Sequence, residues 1–440
     1  MAAEGDPVEL ARELLEAARL ERDALDRLSR VLPIEHLGDP DSDETLGALF
    51  AEGLHLAAHA DDATAEVRRS LCNRLAALTQ SHRSLTFAVL EARALALTVE
   101  SLDAEDDDGR ALVLGRLLEL SGQFHSDQVA IAMAVALFQI AAYCGDAQQV
   151  LGIVGKMEEL AAEFPVEALA RIRAGTLVLA SAELEDASAA WEVAERVAEL
   201  SRQWRGHELA EDHATVIANA LEIEPDAAAR QAGMRHLREL LAAHGTERLA
   251  LTLAHALYQV HGVDGGPAEC RYAADELREL NERFRSTGIA LASAQVLRNA
   301  TAEAADPAAR RRFAEELEGL VADYPDRLVA AQVVHGLANE LLGLEAHPAR
   351  LALLERMCAL LRRFPDLEAA DRACLALALE QQRDPDPVRG GRRAALAHGL
   401  LAARPGLRES LQRGVDAVVG RMHDGDSIER VEALLRGPAS

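Results

Sequence analysis

Apolar residues return along this chain at a fixed interval of 40 residues. A leucine that closes an amphipathic segment is followed four residues later by an aromatic or other bulky residue, and in four copies by proline, as in LVADYPD and LLRRFPD. An uninterrupted interval of this kind is the sequence signature of a stacked repeat array. The leucines are Leu120, Leu160, Leu200, Leu240, Leu280, Leu320, Leu360 and Leu400.

Three columns of small and apolar residues follow each of these leucines, after 10, 14 and 17 residues. Spacings of four and three residues place the columns on one face of a helix, which we call helix A. Alanine fills the first column and most of the second, so a neighbouring helix can approach closely. The first column is Ala130, Ala170, Ala210, Ala250, Ala290, Ala330 and Ala370.

An aspartate stands 26 residues after the leucine in most copies, directly before a second amphipathic segment. Aspartate at this position is a typical N-cap, because its carboxylate accepts hydrogen bonds from free amides of the first helical turn. Pro307 and Pro387 follow at the favoured first helical position. The pattern predicts a helix B that ends at the leucine, aromatic and proline stretch. The aspartates are Asp146, Asp186, Asp226, Asp306, Asp386 and Asp426.

Alternating A and B helices predict an all-α fold. We expect a right-handed α-solenoid of about ten stacked antiparallel helical hairpins with a 40-residue period, because one hairpin alone buries only one side. Residues 1–80 are predicted to form atypical N-terminal capping helices, residues 81–404 the regular repeats, and residues 405–440 a C-terminal capping hairpin.

The spacing of Phe313, Leu317, Leu320 and Pro325 in helix B resembles the second helix of the tetratricopeptide repeat. The 40-residue period is longer than the roughly 34 residues of that family, and its Trp, Gly and Tyr signature is absent. HEAT and armadillo arrays have similar periods, so the repeat family stays open. The resemblance implies that the A helices line a concave groove.

Polar residues recur on helix A at two positions four residues apart, on one face of the helix. A side-chain amide carries both a donor and an acceptor, so a regular row of amides can hold an extended peptide backbone. The row resembles the asparagine ladders of armadillo and some tetratricopeptide proteins. An ordinary solvated face, or hydrogen bonding between neighbouring repeats, is the alternative. This polar row is Gln139, Thr215, Asn219, His255, Gln259, Gln295, Asn299, His335 and Asn339.

Composition narrows the class of partner. The formal net charge of −27 argues against nucleic acid, which requires clustered Lys and Arg. No stretch approaches the roughly 18 apolar residues of a membrane span, so no membrane partner is expected. The five cysteines are scattered and form no CxxC motif, which is typical of a reduced cytoplasm.

The segments that resemble catalytic or metal-binding motifs each lack a residue that the motif requires. HELAEDH has Glu211 where a zinc motif beginning at His207 needs a second histidine. DPDSDE, from Asp39, lacks the glycine of a calcium loop and has Phe50 at the last ligand position. No GK[ST] phosphate loop is present. We therefore expect no enzyme, no metal and no cofactor.

Two hypotheses of function remain. The first is a non-enzymatic interaction scaffold that binds a peptide or protein segment in a concave groove lined by the A helices, through the polar row. The second is a structural or assembly subunit of a homo- or hetero-oligomer without a peptide ligand. The identity of the partner and the oligomeric state are open.

Overall fold

The computed structural model describes residues 6–103, 105–263, 265–422 and 425–436. Packing divides the chain into two compact units, Met1–Ala220 and Leu221–Ser440. The boundary falls inside one helix, α11 (His207–Ile223). The part of the chain that the structure describes is built from α-helices with short turns, so the predicted all-α solenoid of helical hairpins is confirmed. Its handedness and the assignment of the two ends as caps stay predictions.

The first unit alternates A and B helices after a short helical start. Leu32–His36 forms a 3₁₀ turn behind α2. The helices are α1 (Pro7–Leu20), α2 (Ala24–Val31), α3 (Glu44–Ala58), α4 (Ala65–His82), α5 (Leu85–Glu100), α6 (Asp107–Phe124), α7 (Asp127–Ala142), α8 (Ala147–Glu163), α9 (Glu167–Ala182), α10 (Ala187–Trp204) and most of α11.

The second unit continues the alternation. Tyr258–Val263 forms a π-helical turn at the end of α13, and Pro405–Leu407 forms a 3₁₀ turn before α21. The helices are α12 (Ala227–His244), α13 (Glu247–Leu257), α14 (Pro267–Phe284), α15 (Thr287–Glu303), α16 (Pro307–Asp323), α17 (Arg327–Gly343), α18 (His347–Arg363), α19 (Leu367–Arg383), α20 (Pro387–Ala403), α21 (Arg408–Val419) and α22 (Gly425–Arg436).

The predicted N-caps explain where the B helices begin. Asp146, Asp186, Asp226, Asp306 and Asp386 each accept a hydrogen bond from a backbone amide of the following first turn. Asp426 differs, because α22 already begins at Gly425 and so includes Asp426. The N-cap predicted at Asp426 stays a prediction.

The A helices pack directly on one another within each unit. In the first unit α3, α5, α7 and α9 form successive contacts, and in the second unit α13, α15, α17, α19 and α21 do so. The alanine column makes this possible, since Ala130, Ala170, Ala290 and Ala370 are all buried. Each B helix packs on its neighbouring A helices. The main stabilisation therefore comes from burial of Ala and Leu side chains, which contributes about 25 cal/mol per Å² of buried apolar surface.

Arginine side chains join the helices where apolar packing ends. Arg271 on α14 forms two bonds of 2.8 Å to Glu316 on α16. Arg310 donates to the carbonyl oxygens of Thr301 and Ala304, at 3.1 and 2.6 Å, and so satisfies the free end of α15. Helix ends leave such carbonyls without partners, and basic side chains are suitable donors to them.

Candidate functional site

The polar row lies at the surface of the A helices. None of its nine residues is buried. His255 is exposed, and the other eight are half-buried. In the first unit the row comprises Gln139 on α7 and Thr215 and Asn219 on α11. In the second unit it comprises His255 on α13, Gln259 in the π-helical turn, Gln295 and Asn299 on α15, and His335 and Asn339 on α17.

The three asparagines of the polar row form hydrogen bonds to the preceding A helix. Asn219 donates from Nδ2 to Ser181 Oγ at 2.8 Å. Asn299 donates to the Gly262 carbonyl oxygen of the π-helical turn at 2.7 Å. The Asn339 amide makes a longer bond, 3.4 Å, to Thr301 on α15. These amide nitrogens therefore link one repeat to the next.

Arginine side chains donate hydrogen bonds to the amide oxygens of two of these asparagines. Arg298 Nη2 lies 2.8 Å from Asn299 Oδ1, and Arg372 Nη2 lies 3.4 Å from Asn339 Oδ1. Arg298 also donates to Gln332 at 2.8 Å. The sequence reasoning missed these arginines. For Arg298 a signal was present, because the corresponding residues in the neighbouring repeats are Tyr258 and Ala338.

Four residues of the polar row in the second unit make no side-chain hydrogen bond to any described residue: His255, Gln259, Gln295 and His335. Burial lowers the pKa of His335. The nearby charges of Arg298 and Arg372 also lower this pKa, whereas the charge of Glu368 raises it. A neutral imidazole offers one donor and one acceptor, as an amide does. The amides of Gln259 and Gln295 and the imidazole of His335 can therefore pair with both the N–H and the C=O groups of a peptide backbone.

Thr215 and the failed zinc motif lie together on α11. The Thr215 hydroxyl donates to the Glu211 carbonyl oxygen at 2.9 Å, so this member of the polar row is already bonded within its own helix. Glu211 is buried, one turn after His207. Among the described residues no group of three or more His, Cys, Asp or Glu side chains is placed to hold a metal ion.

Among the described ranges, no helix combines the length and the hydropathy that crossing a bilayer requires.

Comparisons with known proteins give weak similarities. No family model and no curated protein matches the chain. One solved chain, from work on a phosphorylation switch that controls the interaction between cadherin and β-catenin, is 13% identical with a TM-score of 0.39, covering 98% of this chain and 99% of that chain. Another, a circular tandem repeat protein with novel repeat topology and enhanced subunit contact surfaces, is 16% identical with a TM-score of 0.14, covering 99% and 95%. At these TM-scores neither match carries an argument about function.

Proposed function

We propose that this protein is a non-enzymatic interaction scaffold that binds an extended peptide or protein segment along the A helices of its second unit. The observation that carries the proposal is the set of His255, Gln259, Gln295 and His335. These four surface side chains follow one another on successive A helices and make no hydrogen bond within the described chain. The tetratricopeptide or armadillo-like character of the repeat belongs to the same proposal.

The arrangement suits an extended chain because the binding groups recur in three successive repeats. A peptide backbone presents a donor and an acceptor at each residue, and the unpaired amides of Gln259 and Gln295 and the neutral imidazole of His335 accept and donate in turn. The inter-repeat hydrogen bonds of Asn299 and Asn339 hold the A helices in register. Pre-organised binding groups lower the entropic cost of capturing a flexible ligand.

The test is affinity capture from the native lysate with two sets of substitutions. The row variant combines His255→Ala, Gln259→Ala, Gln295→Ala and His335→Ala. We expect the partner that wild-type protein captures to be lost, or to bind at least tenfold more weakly once identified, while the melting temperature changes little. Mass spectrometry identifies the partner, and fluorescence anisotropy with a peptide from it gives the dissociation constant.

A second variant separates binding from the linking of repeats. Asn219→Ala, Asn299→Ala and Asn339→Ala remove inter-repeat hydrogen bonds, each worth about 1 kcal/mol. This variant should be less stable and keep the partner. A surface control, Glu239→Ala with Glu279→Ala on the B helices, should change neither property. Unaltered capture by the row variant would contradict the proposal.

The alternative is an assembly subunit in which the polar row only connects repeats. The bonds from Asn219 to Ser181 and from Asn299 to Gly262 favour a linking role for those two residues. Analytical ultracentrifugation distinguishes the two functions. An assembly subunit sediments as a defined oligomer that the row variant leaves intact, and it captures no further protein.

A further inference from the structure

Cavities open between successive B helices at matching positions of the repeat. One, of about 780 Å³, lies between α14 and α16 and is also lined by α15, and we call it the α14–α16 cleft. Another, about 580 Å³, lies between α6 and α8. Ser121 and Met133 line that cavity at the repeat positions that Asn281 and Ser293 occupy four repeats later. Because both cavities occupy the same position in the repeat, the differences between their linings come from the side chains of each repeat.

Two polar side chains, those of Asn281 and Ser293, lie in the floor of the α14–α16 cleft. Asn281 is 5% exposed, and its Oδ1 is buried with no partner. Ser293 is 3% exposed, and no hydrogen bond of its hydroxyl to another described residue is present. A buried polar group without a partner destabilises a fold. The Asn281 amide lines the cleft, and in its present orientation the amide oxygen has no partner among the described residues.

The neighbouring repeats show that the fold does not require these polar groups. Asn281 is replaced by Leu241, Val321 and Leu361 at the same position of other repeats, and Ser293 by Leu253, Val333 and Ala373. All six replacements are buried apolar residues. These three repeats therefore fold with an apolar floor. Polar residues do stand at the same positions elsewhere in the array, Ser121 and Ser201 in the first column and Arg173, His213 and Arg413 in the second.

The rim of the α14–α16 cleft carries an excess of carboxylate. Glu316 is neutralised by Arg271 at 2.8 Å, and Arg278 lies 2.9 Å from Asp275. Three charged lining residues remain that form no ion pair with a described residue. Two of them are carboxylates, Glu282 and Asp323, and one is a cation, Arg285. The chain as a whole carries a net charge of −27, which attracts cationic partners.

We propose that the α14–α16 cleft binds a basic side chain, Arg or Lys, presented by a peptide segment of a protein partner. The N–H groups of that side chain donate to Ser293 Oγ and to the Asn281 amide oxygen, which a half-turn about χ2 brings to the cavity. Glu282 and Asp323 balance its charge at the rim. The volume lies within the range of roughly 300–1,000 Å³ typical of ligand pockets. This site is separate from the polar row and does not depend on the proposed function.

The probe is a phage-displayed library of random peptides, selected on wild-type protein with excess soluble Asn281→Leu/Ser293→Val variant as competitor. The variant copies the apolar floor of the neighbouring repeats. We expect the selected peptides to share one Arg or Lys, and to lose at least tenfold in affinity for the double variant or when that residue is changed to Gln. Peptides without a shared basic residue, no selected peptides, or affinities within twofold for both proteins would overturn the proposal.

Stability measurements exclude a merely structural explanation. The double variant should melt at a higher temperature than wild type, because it removes the unpaired buried amide oxygen of Asn281. A lower melting temperature would mean that the fold uses the amide and hydroxyl, and would overturn the proposal. Asp323→Asn, at the surface, should weaken the selected peptides threefold or more without affecting folding. Ser121→Leu, a similar change in the α6–α8 cavity, and the row variant should both leave binding within twofold.

Discussion

Arg350 on α18 donates from Nε to Glu380 Oε2 on α19 at 2.6 Å, and both side chains are only 3% exposed. Arg350 Nη1 also donates to the Leu341 carbonyl oxygen at the end of α17, at 2.7 Å. One guanidinium thus holds three consecutive helices together. Because the pair is enclosed by the second unit, each charge depends on the other for its solvation.

Removing one member of this pair should be costly. Glu380→Ala leaves the buried Arg350 guanidinium without its counter-charge, and we expect the free energy of unfolding to fall by about 3–5 kcal/mol. Urea denaturation followed by circular dichroism measures the loss. The double variant Arg350→Met/Glu380→Leu removes both charges and should recover most of it. A single variant within about 1 kcal/mol of wild type would show that water reaches the pair.

The N-caps of the B helices allow a reciprocal test. Asp306 accepts from the Ala308 and Ala309 amides at 3.1 Å, whereas Ala346 occupies the corresponding position of α18 with nearly the same backbone angles and no side-chain bond. Asp306→Ala should lower the free energy of unfolding by about 1 kcal/mol, and Ala346→Asp should raise it by about 0.5–1 kcal/mol. Thermal unfolding of both variants measures the pair of effects. Shifts in the same direction would contradict capping as the cause.

The caps were predictable from the sequence because capping is a local interaction. Asp306 and its bonded amides lie within three residues of each other, so that a repeated column suffices to identify them. The alternation of helices was predictable for the same reason. Arg350 and Glu380 lie on different helices, and their contact depends on side-chain directions that a periodic pattern does not encode.

The candidate sites were predictable only in part. The polar row was identified as a column, but the sequence did not distinguish Asn299, which is bonded to Gly262, from Gln295, which has no such bond. That distinction requires the distance between neighbouring helices. Asn281 and Ser293 could have been found as polar breaks in apolar columns. Nothing in the sequence alone, however, placed both residues in one cavity.

His55 makes the stability of the first unit dependent on pH. It lies on α3 with Nδ1 buried and unpartnered, and its ring packs edge to face on His59 with centroids 5.4 Å apart. Burial, together with the nearby charges of His59 and Arg93, lowers the pKa of His55 from 6.5 to about 4. The folded state therefore favours the neutral imidazole.

The sign of the effect follows from which state binds the proton. Above pH 6.5 His55 is neutral in both the folded and the unfolded chain, so its contribution to stability is fully present. Between pH 6.5 and about 4 only the unfolded chain is protonated, and stability falls as the pH falls. Over that window we expect His55 to account for a loss of about 3 kcal/mol.

The measurement is the free energy of unfolding at several pH values for wild type and His55→Gln. Burial also lowers the pKa of His261 and His335, so the difference between the two proteins, rather than the total slope, isolates His55. The variant should lose less stability than wild type between pH 6.5 and 4, because its side chain binds no proton in either state. Equal slopes, or an NMR titration of the His55 ring with a midpoint near 6.5, would show that the folded chain admits the imidazolium.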